Sequence, residues 1–243
     1  MNYALYTDLA SWWPLLSDRE NWALQADLYR SLMDQALGRT ADTILELGSG
    51  GGLLSSHFGD NREVVLTDIS PQMLDLCRAN NPERTHIQGD MRDLRIDRRF
   101  DAVLLHDAVM YITSPDDLLR VFQTAAAHLK PEGVFLILPD VVKENFEEMT
   151  CSGGTIGQPG AQLLEWHWDP DPSDHTYQVD MTLLLKDASG QVQSVHEQHQ
   201  LALFDSQTYV LTLRKAGFAM VDDLIWDEHL TPEVFCGRLT SPN

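Results

Sequence analysis

The sequence predicts a single α/β domain, a doubly wound sheet that carries an antiparallel β insertion. Three observations predict it. Short apolar runs alternate with amphipathic helical stretches between residues 42 and 140, the signature of a parallel sheet with right-handed crossovers. The first run, Ile44-Leu45-Glu46-Leu47, breaks into a loop built on Gly48, Gly50, Gly51 and Gly52, as a strand does before a ligand-binding helix N-terminus. Beyond Pro139 the alternation stops, and three strand-like segments succeed one another with no helix between them.

The elements follow in order. An aromatic segment, Leu9-Ala10-Ser11-Trp12-Trp13-Pro14-Leu15-Leu16, precedes a helix over 19–37, where Trp22, Ala26, Tyr29, Met33 and Leu37 recur at helical spacing and Gly38 supplies the stop. Ile44–Leu47 and Val64–Thr67 read as the first two strands. Ser70-Pro71 is an N-cap and first-turn pair for a helix reaching about Arg78. His86-Ile87-Gln88 is a short third strand, and Ala102–Leu105 is a continuous apolar fourth, as burial on both faces requires. Ser114-Pro115-Asp116-Asp117 caps a helix that presents Leu118, Leu119, Phe122, Ala126 and Leu129. Lys130-Pro131-Glu132-Gly133 turns the chain into a fifth strand, Val134–Leu138. Residues 150–160, rich in glycine, read as a loop. Gln162–Trp168, Thr176–Lys186 and Gln191–Phe204 read as inserted strands, with Asp187-Ala188-Ser189-Gly190 as a hairpin loop. A helix at about 206–216 ends at Gly217, and Phe218–Ile225 and Val234–Leu239 supply a final pair of strands.

Composition narrows the partners. Of 243 residues, 37 are acidic and 17 are Lys or Arg, a net charge of −20 that would repel nucleic acid and anionic membranes. A small neutral or cationic substrate fits better. Cys77, Cys151 and Cys236 lie far apart, which argues against a zinc cluster or a disulfide framework and fits a reducing compartment. The N-terminus shows no basic-then-apolar leader and no run approaches a membrane span, so the expectation is a cytoplasmic protein.

Four landmarks fall at the C-terminal ends of successive strands: Glu46 through Gly52, Asp68, Asp90-Met91, and His106-Asp107. An open α/β sheet holds its ligand at that edge. Asp68 lies 22 residues beyond Glu46, an offset at which a carboxylate can accept both hydroxyls of an adenosine ribose. Asp90 is placed to take the adenine amino group, with Ile69 and Met91 over the faces of the base. Taken singly, each acid is as well explained by a helix cap or a solvated turn.

These residues resemble the class I S-adenosylmethionine-dependent methyltransferases. The likeness is carried by Glu46-Leu47-Gly48-Ser49-Gly50-Gly51-Gly52, Leu66-Thr67-Asp68-Ile69-Ser70-Pro71-Gln72-Met73-Leu74, Gly89-Asp90-Met91-Arg92-Asp93-Leu94, Phe100-Asp101-Ala102-Val103, Leu129-Lys130-Pro131-Glu132-Gly133 and Ala216-Gly217-Phe218. The resemblance implies a seven-stranded sheet in the order 3-2-1-4-5-7-6 with the last strand reversed, and S-adenosylmethionine as cofactor. It implies cofactor contacts from Glu46, Gly48, Ser49, Gly50, Asp68, Ile69, Met73, Asp90, Met91 and His106. Within the family the chain is similar to the small-molecule branch that includes glycine and amino-sugar N-methyltransferases, which carry a β insertion after the fifth strand and an aromatic N-terminal segment over the cofactor. On that reading residues 1–40 form a helical lid, 41–149 the cofactor core, 150–204 a substrate cap or the surface of a homodimer, and 205–243 the closing strands.

The expected chemistry is methyl transfer to a small molecule, to an amine nitrogen ahead of a hydroxyl oxygen. His106 is the candidate catalytic residue, as a base beside the methyl group. Tyr6, Trp12, Asp107, Tyr111, Trp166 and Trp168 are the candidate substrate contacts, and the acids around Trp166 and Trp168 suit a cation. Tyr3, Trp13 and Trp22 are further lid aromatics. His196-Glu197-Gln198-His199 invites a metal reading, but residues three apart on a strand face opposite ways, so no metal is expected. A non-catalytic binding protein is the alternative from another class. A nicotinamide dehydrogenase is disfavoured because Leu53 stands where its fingerprint wants a third glycine.

Overall fold

The computed structural model describes residues 3–17, 21–59, 61–226 and 233–240. The parallel core is β1 (Thr43–Leu47), β2 (Glu63–Asp68), β3 (Thr85–Gln88), β4 (Phe100–His106) and β5 (Leu129–Leu138), joined at one edge by β10 (Phe218–Met220) and β11 (Phe235–Leu239). The order is β3-β2-β1-β4-β5-β11-β10, and β11 runs antiparallel to both neighbours, as the family resemblance implies. All seven residues of β4 are buried, which explains its unbroken apolar run.

Capping side chains set the helix starts. Ser70 accepts from the Met73 amide at the head of α3 (Pro71–Asn80), and Ser114 accepts from the Asp117 amide at the head of α4 (Pro115–Ala127), each with proline in the first turn. Asp205 caps α5 (Ser206–Lys215) through the Thr208 amide. Ahead of these come α1 (Trp13–Leu16) and α2 (Trp22–Leu37), the latter stopped by Gly38 at φ +70°. The expected first turn of α2, at residues 19 and 20, lies outside the described residues.

The insertion differs from expectation in one element. A second sheet, in the order β6-β7-β8-β9, contains four strands, not three: β6 (Met149–Thr155), β7 (Gly160–Trp168), β8 (Thr176–Lys186) and β9 (Val192–Ala202). The segment read as a glycine-rich loop supplies the edge strand β6. It has no buried face and hence no alternating pattern, and Gly154 is required because a Cβ there would stand 2.2 Å from the Ala161 carbonyl oxygen. The strand β8 does alternate, burying Tyr177, Val179, Met181, Leu183 and Leu185.

Two boundaries also shift. Residues 130–133 form a bulge within β5 and not a turn before it, with Glu132 at φ +62° and a register break against β4. The strand after Gly217 stops at Met220, where the Val221 amide still donates to the Cys236 carbonyl. No helix among the described residues is long and apolar enough to cross a membrane.

Candidate active site

The loop after β1 fixes the site. Gly48, Gly50 and Gly52 all have positive φ, and a Cβ on Gly48 would lie 2.3 Å from the Ala108 side chain. Asn80 and Asn81, at the end of α3, donate to the carbonyls of Gly51 and Gly52, and the Ser49 amide donates to the Thr67 carbonyl. At the tip of β2, Asp68 accepts from the Gly50 amide through Oδ2 (2.9 Å) and from the Ser70 amide through Oδ1 (2.8 Å). Those bonds hold the carboxylate still while leaving it acceptor capacity toward open space. Burial nonetheless raises the Asp68 pKa, against the opposing pull of the amides.

A cavity of about 600 Å³ opens along this strand edge. It gathers most of the residues singled out from the sequence: Gly48, Ser49, Gly50, Asp68, Ile69, Met73, Asp90, Met91 and His106, together with Tyr6, Asp107 and Tyr111. Tyr3, Trp13 and Trp22 line it as well. Asp90 is clamped by Arg92, whose guanidinium holds its carboxyl below the usual range and reaches Asp117 at 3.0 Å. It therefore faces the cavity as half of an ion pair.

The N-terminal segment roofs the cavity. Ser70 donates to the Tyr6 carbonyl (2.6 Å), and Glu197 on β9 accepts from the amides of Ala4 and Leu5. A chain of side chains lies beneath. The Tyr6 and Tyr111 hydroxyls are 2.6 Å apart, and the Tyr111 hydroxyl is 3.0 Å from His199 Nδ1. Burial lowers the His199 pKa, so its ring is neutral and Nδ1 can accept the Tyr111 proton.

Four expected contacts do not reach this cavity. Glu46 is wholly buried behind it, accepting from Ser55 and from His106 Nε2, so it supports the wall without forming it. Trp12 and Trp13 are both half-buried against the core, but only Trp13 also lines the cavity. Trp166 and Trp168 lie on the outer face of β7, bonded to Glu148 and Asp180. Their neighbours of opposite parity, Glu165 and His167, point inward. His106 lines the cavity between two carboxylates. Burial alone would lower its pKa, but the Asp107 charge and the Glu46 and Asp107 carboxylates push it up to about 10. The two carboxylates thus favour the protonated form of the ring at this strand end.

Sequence reading missed a smaller adjoining cavity of about 190 Å³ under the second sheet. Tyr6, Trp13 and Tyr111 line both spaces, and Asp140, Glu165, His167, Tyr177 and His199 line only the second. The alternation of β8 was the available signal, since pairing carries its buried parity to β7. Cys151 bonds Glu165 across the β6–β7 pair, and His167 Nε2 is 3.2 Å from the same carboxylate. The three bring ligand-type atoms within 4.8 Å of one another, yet their mutual hydrogen bonds account for the grouping without an ion. His196 and His199 face opposite ways, one exposed and one buried.

Comparison with known proteins places this architecture. Residues 44–133 match the family model described as a methyltransferase domain. Over 197 residues the chain is 27% identical to dTDP-3-amino-3,4,6-trideoxy-alpha-D-glucopyranose N,N-dimethyltransferase of Streptomyces venezuelae, covering 79% of each. It is 25% identical to dTDP-3-amino-3,6-dideoxy-alpha-D-glucopyranose N,N-dimethyltransferase of Streptomyces fradiae, over 74% of this chain and 71% of that one. Among solved structures, DesVI of Streptomyces venezuelae superposes with a TM-score of 0.80 at 22% identity, covering 91% of this chain and 93% of that one. The S-adenosylmethionine-bound amino pentose methyltransferase CalS10 of Micromonospora echinaspora gives 0.75 at 22%, covering 90% and 92%. Family match, sequence relatives and sheet order agree: residues 44–133 form a methyltransferase domain, and the chain as a whole is similar to the class I S-adenosylmethionine-dependent methyltransferases.

Proposed function

We propose that the protein methylates an amine nitrogen on a small, amino-sugar-like molecule. The observation that carries this reading is the pairing of two cavities, one built around Asp68 and the glycine loop, the other walled by carboxyls and aromatic rings. In this reading Asp68 accepts the two ribose hydroxyls of the cofactor. Ile69 and Met91 cover the adenine, and Asp90 meets its amino group. Gly48, Ser49, Gly50 and Met73 line the methionyl arm. Bound S-adenosylmethionine supplies a methyl carbon already activated by a sulfonium, so the chain has only to align a nucleophile and exclude water.

Tyr6, Asp107 and Tyr111 border the passage to the second cavity and would orient the acceptor. Nitrogen is favoured over oxygen by the N,N-dimethyltransferase relatives and by an acid-lined cavity that attracts an ammonium group. Calorimetry tests the cofactor assignment. Asp68→Asn keeps the shape of the side chain but loses its charge, and roughly tenfold weaker S-adenosylmethionine binding is expected, the order of one charge-assisted hydrogen bond. Unchanged affinity in a folded variant would remove Asp68 from the site.

A further inference from the structure

Three parts of the chain meet in one line of hydrogen bonds between the two cavities. Tyr6 comes from the N-terminal segment, Tyr111 ends the turn Ala108–Tyr111 after β4, and His199 lies on β9, which packs against that turn. The hydroxyls of Tyr6 and Tyr111 are 2.6 Å apart, and 3.0 Å separates the Tyr111 hydroxyl from His199 Nδ1. On the far side of the ring, His199 Nε2 is 3.4 Å from the Glu197 carboxylate. His199 is 1% exposed and borders only the smaller cavity, whereas both tyrosines border the two.

The bonding sets the direction of each proton. Glu197 accepts from the Ala4 and Leu5 amides, as an ionised carboxylate does, and the ring proton belongs on the nitrogen that faces this charge. Nδ1 is then an acceptor, and Tyr111 donates to it. A phenol oxygen has one donor and two acceptor positions. With Tyr6 filling one acceptor position, Tyr111 keeps one lone pair for a ligand.

We propose that Tyr111 and His199 form the proton relay of methyl transfer: the Tyr111 hydroxyl takes a proton from the acceptor's ammonium as it passes its own to His199 Nδ1. The inference rests on the amine-methylation reading above and adds the group that meets the departing proton and the group that keeps it. Tyr111 is the catalytic residue, and His199 acts through it.

Neither phenol is the base. Burial pushes the Tyr6 and Tyr111 hydroxyls above their ordinary range, so each stays protonated and only exchanges one proton for another. Burial has the opposite effect on an imidazole and leaves His199 neutral. His106 is held between two carboxylates that favour its protonated form, so the neutral imidazole bonded to a cavity-lining hydroxyl is His199. Three carboxyls face the same small space as His199: Glu197 from its own strand, Glu165 from β7 and Asp140 from beyond β5. His167 on β7 and the phenols of Tyr177 and Tyr3 complete the titratable groups around it. Three acids against one further imidazole favour the imidazolium once the proton arrives. Because Tyr6 belongs to the roof and the Tyr3 ring lies on His199, the line is complete only while the N-terminal segment is docked.

The balance closes. An N–H bond of the ammonium breaks, its proton joins the Tyr111 oxygen, and the former Tyr111 proton joins Nδ1. The phenol is regenerated and the ring becomes imidazolium. The freed nitrogen lone pair forms the N–C bond as the C–S bond breaks, with that electron pair staying on sulfur. Charge passes from the ammonium to His199 and from the sulfonium to the methylated nitrogen. Loss of the ring proton to solvent after product release resets the site.

The test follows methyl transfer at saturating S-adenosylmethionine across about pH 5 to 9, with a panel of amino hexoses, free and as nucleoside diphosphate conjugates. Wild-type kcat should be level near neutrality, with an acid limb below the ~6.5 of a free imidazole. His199→Gln still accepts from Tyr111 but takes no proton. It should keep its KM and lose kcat roughly tenfold or more at neutral pH, and the deficit should close as pH rises and the amine arrives neutral. Tyr111→Phe should show the same pH dependence, and the double variant should be no slower than either single one, since both cut one line. A deficit constant across pH, additive losses or an undiminished neutral kcat overturns the relay. One readout needs no acceptor. With S-adenosylhomocysteine bound, imidazole nitrogen NMR shifts should show His199 neutral at neutral pH with its proton on Nε2, and a proton on Nδ1 overturns the relay as well. A folded protein that binds S-adenosylhomocysteine yet methylates none of the panel overturns the amine-methylation reading, and the relay with it.

Discussion

His106 illustrates how neighbours decide a residue's chemistry. Between Glu46 and Asp107 the folded imidazole titrates near 10, above the ~6.5 of an unperturbed ring. The native state therefore keeps a proton that the unfolded chain releases, and the stabilisation is complete below about 6.5 and lost as pH climbs toward 10. Urea midpoints measured across that window should fall for the wild type. In His106→Gln, which keeps a donor toward Glu46, the fall should be flatter, and parallel curves would remove the ion pair from the account. The same residue marks the limit of sequence reading. Spacing put His106 and Asp107 at the edge of the sheet where ligands bind, and they line the cavity. It carried no information on Glu46 and Asp107 closing on both sides of the ring, because that requires the neighbouring strand β1. Glu165 reads only as one of the acids flanking Trp166 and Trp168, and Asp140 carries no mark at all, for the same reason. Each is an ordinary acid in the sequence and becomes distinctive only through what folding sets beside it.

At the level of elements, residues that carry helix caps or strand ends were readable, and elements without a buried face were not. Ser70-Pro71 and Ser114-Pro115 announce their helices because capping is local chemistry. The edge strand β6 has no such mark, since its register comes from pairing with β7. The N-terminal segment is a third case, for its aromatic content suggested a lid but its anchor is distant. Glu197 on β9 holds the amides of Ala4 and Leu5, and the Tyr3 ring lies 3.7 Å from that of His199. Glu197→Ala should release this segment while the two sheets stay folded. Hydrogen bonds to a charged group are worth ~1.5–3 kcal/mol, so chymotryptic cleavage between Tyr3 and Trp13 should quicken by roughly tenfold or more. Cleavage at the wild-type rate would mean that the Ser70 contact and ring packing suffice to hold the segment.

For the whole molecule, the net charge of −20 acts on the reaction's two cofactor forms differently. S-adenosylmethionine carries a sulfonium, an ammonium and a carboxylate, a net positive charge, whereas S-adenosylhomocysteine lacks the sulfonium charge and is net neutral. An acidic surface draws the first toward the cavity and is indifferent to the second. Inside, Asp68 and Asp107 continue the negative potential to the strand edge. Screening shortens the range of that field from ~30 Å at 0.01 M salt to ~3 Å at 1 M. Over that range the association rate of S-adenosylmethionine should fall several-fold, while that of S-adenosylhomocysteine stays nearly flat. Stopped-flow quenching of tryptophan fluorescence reads both rates, since Trp13 and Trp22 line the cavity. Equal salt slopes for the two forms would show that the field is not felt at the site. A slope for S-adenosylmethionine alone would make the acidic composition a means of loading the methyl donor in preference to the spent product.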